Sequence, residues 1–212
     1  MVSLLNVAEA DFFRDAAKQS TARSVKHVEA QTSAEVVVAV RRRSGEYRVP
    51  AYHFGFFVGG LVVVYLLVTP QVFSIGDIAL DGALGFGLAL ALAYNVSALL
   101  RLLVREKPLA TSVGAAARAA FYDLGISRTT GRNGVLVFVS TFEQRALVLA
   151  DIGIDVKALG PAWDEACAAL TAAVKRRDLD GFERALESLG PILGATMPRS
   201  LDDVNELPDE VQ

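Results

Sequence analysis

Two long segments without a full charge most constrain how this chain can fold. Residues 51–69 and 83–100 contain no Asp, Glu, Lys or Arg, and the second segment stays apolar to 104 apart from Arg101. Each segment is long enough to cross a hydrocarbon core of roughly 30 Å as a helix. The sequence therefore predicts a transmembrane hairpin with spans at 51–69 and 83–104, joined by a short external loop at 70–82.

A pair of buried core helices is the alternative interpretation of these segments. It would require the 160 residues outside 49–100 to enclose two helices that are apolar on every side, in addition to their own core. The composition also favours a membrane: hydrophobic residues make up 52% of the chain, charged residues 21%, and the mean hydropathy is +0.37. The membrane hairpin is the better prediction.

Basic residues flank the predicted hairpin on the side of both soluble segments. Those before the first span are Arg41, Arg42, Arg43 and Arg48, and those after the second are Arg101, Arg105 and Lys107. The connecting loop carries only the acids Asp77 and Asp81. Because Lys and Arg collect on the cytoplasmic side of membrane proteins, both termini are expected in the cytoplasm. Arg41, Arg42, Arg43 and Arg48 are then predicted to lie at the membrane surface.

Small residues recur within both spans. Gly55 and Gly59 form a GxxxG pattern, and Ala83, Gly87 and Ala91 repeat small residues every four positions. Small residues allow helix backbones to approach closely in lipid. The patterns predict either closure of the hairpin or a homodimer through Gly55 and Gly59. The absence of charged residues from 51–69 and 83–100 argues against a transporter.

The remaining sequence alternates helical and strand patterns. Helices are predicted at 6–30 with Asn6 as the cap, from Thr111 or Ser112 to 124, at 161–177 and at about 179–189; strands are predicted at 34–40, 134–140 and 145–151. The first two strands are joined through a helix and should be parallel, whereas a short turn makes the last two antiparallel.

These patterns predict an α/β fold: a small mixed β-sheet flanked by helices on both faces and interrupted by the transmembrane hairpin. Its two parts are 1–48 and 105–198, followed by an acidic, solvated tail at 199–212. The hairpin thus leaves the fold between the first strand and the crossover helix. The carboxyl ends of the parallel strands, where α/β sheets usually bind ligands, should face the lipid headgroups.

Three phrases resemble the TPM domain family. They are "HVEAQTSAEVVVAV", "ARAAFYDLGISRTTGRNGVLVFVSTFEQRALVLADIGID" and "GFERALESLG", and together they cover nearly all of the sequence outside the hairpin. The chain is similar to a bacterial branch whose membrane segments interrupt the domain, which implies a location in the bacterial cytoplasmic membrane. It differs in having "DIGID" where the commoner pattern is a glycine-x-glycine-x-acid turn.

The resemblance implies an acid phosphatase with a metal-binding acidic cleft. By position, Asp155 matches the acid of the family turn, and Asp151, Asn133 and Asp123 could join it as ligands of Ca²⁺ or Mg²⁺. The alternative is structural: Asp151 ends a strand and Asp155 caps a helix. Both interpretations remain open from the sequence.

The loop at 125–134 contains Arg128 and Arg132 and could bind phosphate or form a solvated turn. It follows a helix C-terminus, whereas anion sites precede helix N-termini. The basic residues lie beside Asp151 and Asp155 in the expected fold, and mixed charge of this kind suits a protein partner. The loop and residues 151–155 are therefore predicted to form a partner-binding edge.

No catalytic nucleophile can be identified. The sequence has no GxSxG motif and no P-loop, and its single cysteine, Cys167, cannot form an internal disulfide. A net charge of −3 gives no basic footprint for nucleic acid. The predicted function is a membrane-anchored, cytoplasm-facing module for protein interaction or membrane-complex assembly, and the alternative is a metal-dependent phosphatase.

Overall fold

The computed structural model describes residues 12, 14–199, 206, 207 and 211. The described elements, in chain order, are α1 (Asp15–Glu29), β1 (Glu35–Arg41), α2 (Arg48–Val68), α3 (Ile75–Asn95), α4 (Ser97–Leu103), α5 (Glu106–Asp123), a single 3-10 turn (Ile126–Arg128), β2 (Gly134–Ser140), β3 (Arg145–Ala150), α6 (Val156–Leu159), α7 (Pro161–Arg176), α8 (Leu179–Glu187) and α9 (Leu189–Gly194). They form two compact units, a hairpin unit at 46–108 and a sheet unit that contains the other described residues.

A three-stranded mixed sheet organises the sheet unit. The strand order is β1-β2-β3; β1 and β2 are parallel, and β2 and β3 are antiparallel. Val37 lies opposite Leu136 in the parallel pair, and Val137 lies opposite Val148 in the antiparallel pair. Every residue of β2 is buried, and so is every residue of β1 except Arg41. The predicted strands and their pairing are confirmed.

Alternate residues of the strands face different helices, as the two-residue period of a strand requires. Val36, Val38, Val135 and Val137 belong to the hydrophobic cluster that contains α1, α7, α8 and α9. Val37, Ala39, Leu136 and Phe138 belong to the cluster that contains α5. The sheet therefore has helices on both faces, which confirms the mixed α/β fold.

Helix bounds differ from prediction where polar residues were taken as caps. Helix α5 begins at Glu106, five residues before Thr111, because Pro108 lies in the first turn, where its missing N–H costs no helical hydrogen bond. The last predicted helix, at about 179–189, corresponds to α8, and a further helix, α9, follows it with Pro191 in its first turn. Helix α1 begins at Asp15. The predicted cap Asn6 lies outside the described residues.

The hairpin unit contains α2 and α3, of 21 residues each, and the short helix α4. Both α2 and α3 are long and apolar enough to cross a membrane, by length and composition. The second helix does not coincide with the predicted span at 83–104, since α3 begins at Ile75 and ends at Asn95. Ser74 and Asp77 explain the early start because they form a capping box: the Asp77 N–H donates to Ser74 Oγ at 3.1 Å, and the Ser74 N–H donates to Asp77 Oδ2 at 3.2 Å.

This correction shortens the connecting loop from the predicted 70–82 to 69–74 and places two acids within a helix. Asp77 and Asp81 lie in the first two turns of α3, and the rest of that helix carries no charge. Asp77 and Asp81 therefore belong to α3, whereas the predicted span at 83–104 left them in the loop. The end of the predicted span, at 96–104, is the separate short helix α4 and its flanking residues.

Glycines form the interface between α2 and α3. A Cβ atom on Gly55 would lie 2.9 Å from the Phe86 ring, and one on Gly59 would lie 2.9 Å from the Gly82 carbonyl oxygen. Both glycines are thus used in closing the hairpin, the first of the two predicted roles. On α3 the buried small residues are Gly82, Ala89 and Ala93. The predicted repeat of Ala83, Gly87 and Ala91 is exposed instead.

Candidate functional site

The strongest candidate site is the edge of the sheet where β2 begins and β3 ends. Glu35 lies opposite Gly134, and Val135 lies opposite Ala150, so the segments 125–134 and 151–155 meet at this edge. We call these two segments the loop edge. The other edge contains Arg41, Ser140 and Arg145. The prediction that both segments lie at the edge away from the carboxyl ends of the parallel strands is confirmed.

Hydrogen bonds within the 125–134 segment fix its conformation. Gly125 adopts a φ of +71°, which favours glycine, and ends α5 before the 3-10 turn with its buried Ile126. Thr129 is buried: its carbonyl accepts the Arg132 N–H at 3.1 Å, and its hydroxyl accepts the Asn133 N–H at 3.2 Å. The segment therefore folds through its own side chains.

Arg132 and Asp151 form an ion pair across the loop edge. Arg132 Nε lies 2.8 Å from Asp151 Oδ2, and Arg132 Nη2 donates to Asp151 Oδ1 at 3.0 Å. The Asp151 side chain is 3% exposed and that of Arg132 is 45% exposed. Asp151 Oδ1 also accepts the Ile152 N–H at 2.8 Å. The predicted metal ligand and the predicted partner-binding arginine are thus each other's partners.

Each of the other predicted metal ligands has its own hydrogen-bond partner or is exposed to solvent. Asp155 caps α6 through the Lys157 N–H at 3.1 Å, as the structural alternative predicted. Asn133 donates a hydrogen bond to the Ser33 carbonyl. Asp123 is the last residue of α5 and is exposed. No group of three or more His, Cys, Asp or Glu that could hold a metal ion occurs in the described part of the chain.

Gly153 explains the close contact between the two segments of the loop edge. Its N–H donates to the Arg132 carbonyl at 2.9 Å, and a Cβ atom at this position would lie 2.5 Å from the carbonyl oxygens of Gly131 and Arg132. Only glycine fits without moving backbone. The glycine of "DIGID" is therefore a packing requirement of this edge.

The opposite edge holds the chain as it leaves β1. The carbonyls of Arg41 and Arg42 accept hydrogen bonds from the N–H groups of Thr141 and Phe142, both at 3.0 Å. The Arg43 guanidinium lies 4.4 Å from the centre of the Phe142 ring, a cation–π contact. The three arginine side chains are exposed while their backbone is fixed. Arg48, the first residue of α2, forms an exposed ion pair with Glu46 at 3.1 Å.

A buried polar cluster at this edge was missed by sequence reasoning. Glu143 is 1% exposed, and its carboxylate accepts the Ser44 N–H at 3.0 Å and the Ser140 hydroxyl. The Ser44 and Ser140 hydroxyls are hydrogen-bonded to each other at 2.7 Å. The cluster fixes the segment after β1 to the β2–β3 turn. Its acid is enclosed, so it is suited to a structural role.

Cys167 is a poor nucleophile in this fold. Burial, and to a smaller extent the charge of Asp164, raises the pKa of its thiol to about 11. Thiolates, and not thiols, are the reactive form. The side chain therefore adds no nucleophilic chemistry to the sheet unit.

Comparisons with known proteins support the fold and go no further. No protein-family model matches the sequence, and no curated protein matches it. The NMR structure of the BA42 protein from the psychrophilic bacterium Bizionia argentinensis is similar, with a TM-score of 0.55 and 16% identity over 93% of this chain and 92% of that chain. Similarity at that identity shows a shared fold alone. Membership of the TPM family stays a prediction.

Proposed function

We propose that this protein is a membrane-anchored module, similar to the TPM family, that acts in protein interaction or in the assembly of membrane complexes. The hairpin unit is the anchor in the bacterial cytoplasmic membrane, with both termini in the cytoplasm. The loop edge binds a protein partner. This role requires a stable anchor and a preformed binding surface, and no chemical step.

The anchor is supported by the exposure of large apolar side chains on α2 and α3. Phe56, Phe57, Tyr65 and Leu88 are each between 65% and 71% exposed. Soluble monomers rarely expose a continuous apolar surface of this kind. The most apolar windows of α2 and α3 are only 22% and 6% buried, whereas the core helix of a soluble protein would be mostly buried. This observation carries the proposal.

The orientation is supported by the charges around the hairpin. Arg41, Arg42 and Arg43 have exposed side chains on a fixed backbone, so they can contact anionic headgroups with little loss of chain entropy. The connecting loop at 69–74 contains no Lys or Arg. This asymmetry favours the cytoplasm for both soluble segments.

The partner-binding role is supported by the surface of the loop edge. Arg128 and Asp155 are exposed in the loop edge, and Lys157 is exposed in the adjoining first turn of α6. Ile152, also in the loop edge, is 83% exposed. An apolar side chain surrounded by charges of both signs is typical of a protein-binding surface. The acid that catalysis would use, Asp151, already neutralises Arg132.

A photocrosslinking experiment tests the partner-binding role. A photoreactive residue at Ile152 in the full chain, expressed in its native membrane, should capture a specific protein. The same residue at Asp164, exposed on α7, is the control and should not capture it. Hydrolysis of a phosphate monoester by the purified chain that requires Ca²⁺ or Mg²⁺ and is lost in Asp151→Ala, without a specific crosslink at Ile152, would overturn the proposal in favour of an enzyme.

A further inference from the structure

The chain's own C-terminal tail contacts the loop edge. Glu206 Oε2 accepts the Thr130 N–H at 2.9 Å and the Thr130 hydroxyl at 3.2 Å. The next residue, Leu207, donates its N–H to Glu35 Oε2 at 3.3 Å. Glu35 is the first residue of β1, so these contacts place the tail where β1 and β2 begin. Glu206 is exposed, as predicted for a solvated tail, whereas Leu207 is partly buried.

Two apolar residues of the tail reach opposite faces of the sheet. Leu207 packs against the cluster on the α5 face, and Val211 packs against the cluster formed with α1, α7, α8 and α9. The acidic contact of Glu206 is thus combined with apolar contacts at two further points.

Thr130 is free to bind a carboxylate because the loop does not need it for its own fold. The turn is closed by Thr129, which accepts the N–H groups of Arg132 and Asn133, and by the Arg132–Asp151 ion pair. The N–H and hydroxyl of Thr130 both donate to the Glu206 carboxylate. Hydrogen bonds to a charged acceptor are among the stronger ones. The loop therefore presents a preformed site for an acidic side chain.

We infer that Thr130 is the centre of a docking site for an acidic segment, and that Glu206 and Leu207 of this chain occupy it and thereby limit access to the loop edge. The ligand class is a peptide in which a carboxylate side chain is followed by an apolar residue, as in Glu206–Leu207. A partner with this pattern must displace the tail before it binds. This inference rests on the proposed function, because it names the chemistry of the partner.

The tail is well suited to such competition. It is covalently attached, so its effective concentration at the site is on the order of millimolar. Glu206 is exposed to solvent, so a partner with more contacts can replace it.

Hydrogen exchange at the Thr130 amide tests the internal contact in the full chain in detergent micelles. Glu206→Ala should raise the exchange rate of this amide at least 10-fold, because the carboxylate acceptor is lost. Glu210→Ala is the matched control: it removes the same charge from the tail and should leave the rate unchanged. Equal rates in the wild-type chain and Glu206→Ala would overturn the inference.

Peptide binding tests the competition. A fluorescent peptide with the sequence of residues 200–212 should bind the Glu206→Ala chain at least 10-fold more tightly than the wild-type chain or Glu210→Ala. The same peptide with its own Glu206→Ala change should lose that binding. No binding to the Glu206→Ala chain, or equal binding to all three chains, would overturn the docking site. Success here with no specific crosslink at Ile152 would retain the site and refute the proposed partner-binding function instead.

Discussion

The two units of this protein bury opposite kinds of residue. In the sheet unit, Val137 and Phe138 are fully buried and the helices cover both faces of the sheet. In the hairpin unit, the buried positions of α2 and α3 are mostly glycine and alanine. The large side chains, such as Phe56 and Leu88, point outward and are 69% and 71% exposed.

This difference is the one expected if, as we propose, the hairpin unit lies in lipid and the sheet unit in water. Water drives large apolar side chains inward, which is the arrangement of the sheet unit. In lipid that driving force between helices is absent, and small residues at the interface allow close van der Waals packing instead. The position of the apolar residues, more than their number, therefore distinguishes the hairpin unit from the sheet unit.

Replacing one phenylalanine in each unit should give the largest difference between the units, measured as the change in the free energy of unfolding. Phe138→Ala should lower the free energy of unfolding of the sheet unit by about 3–5 kcal/mol, because it leaves a cavity in a packed core. Phe57→Ala, on the outer face of α2, should change it by less than about 0.5 kcal/mol. The fluorescence of Trp163, the chain's single tryptophan and a buried residue of α7, reports unfolding in denaturant.

If Phe57→Ala destabilised the sheet unit as much as Phe138→Ala does, the position of Phe57 on the outer face of α2 would be contradicted. Leu61→Ala provides an independent check at another exposed position of the same helix. Both outer-face variants should leave the Trp163 transition unchanged.

Enlarging a glycine tests the packing inside the hairpin. Gly59→Val should push α2 and α3 apart at a cost of about 1–3 kcal/mol, because its Cβ would lie 2.9 Å from a backbone oxygen of α3. Gly60→Val is the matched control, since a Cβ there meets nothing within 4 Å. Disulfide formation between Val62→Cys and Gly85→Cys, which face each other, measures the separation. Equal disulfide yields for the two valine variants would contradict the interface.

The next test concerns the Arg132–Asp151 ion pair of the loop edge, within the sheet unit. Arg132→Met should cost about 1–3 kcal/mol, because it leaves the buried Asp151 carboxylate without its cation. The double variant Arg132→Met with Asp151→Asn should recover most of that loss, since no buried charge remains. Trp163 fluorescence measures both. An equal loss in the single and double variants would show that the ion pair is not the source of the effect.

The smallest expected effect concerns the chemical reactivity of the Cys167 thiol and not the stability of the protein. Because its pKa is raised to about 11, chiefly by burial, its alkylation at pH 8 should be on the order of 100-fold slower than that of an exposed thiol. The rate should rise as pH approaches 11, where the thiolate forms. Ala168→Cys in a Cys167→Ser background provides the exposed thiol on the same helix.

The sheet could be predicted from sequence because its signals are local. Continuous β-branched runs mark buried strands, and the lengths of the connections determine whether neighbours are parallel or antiparallel. The start of α3 could also have been predicted, since Ser74 and Asp77 have the spacing of a capping box. It was missed because the acids were assigned to the loop on charge alone.

The sequence could not predict which face of α3 packs against α2. Small residues occur on both faces of α3, and spacing alone does not distinguish Gly82, Ala89 and Ala93 from Ala83, Gly87 and Ala91. Choosing between them requires the partner helix, where Phe86 fills the space beside Gly55.

The candidate site was predicted in position and not in chemistry. Strand order places Arg132 and Asp151 at one edge, but only the burial of Asp151 decides that they pair with each other and not with an external ligand. The contact of Glu206 with Thr130 spans 76 positions. No local pattern predicts a contact between such distant residues.

A paired topology assay tests the central claim, that the hairpin unit crosses the membrane and returns. One reporter, active only in the cytoplasm, is fused after Gln212, and a second, active only outside, is inserted after Gln71 in the connecting loop of the same chain. The account predicts that both reporters are active, because seven basic residues flank the helices on one side and the loop carries none. An inactive C-terminal reporter, or an inactive loop reporter beside an active C-terminal one, would contradict a hairpin that spans the membrane.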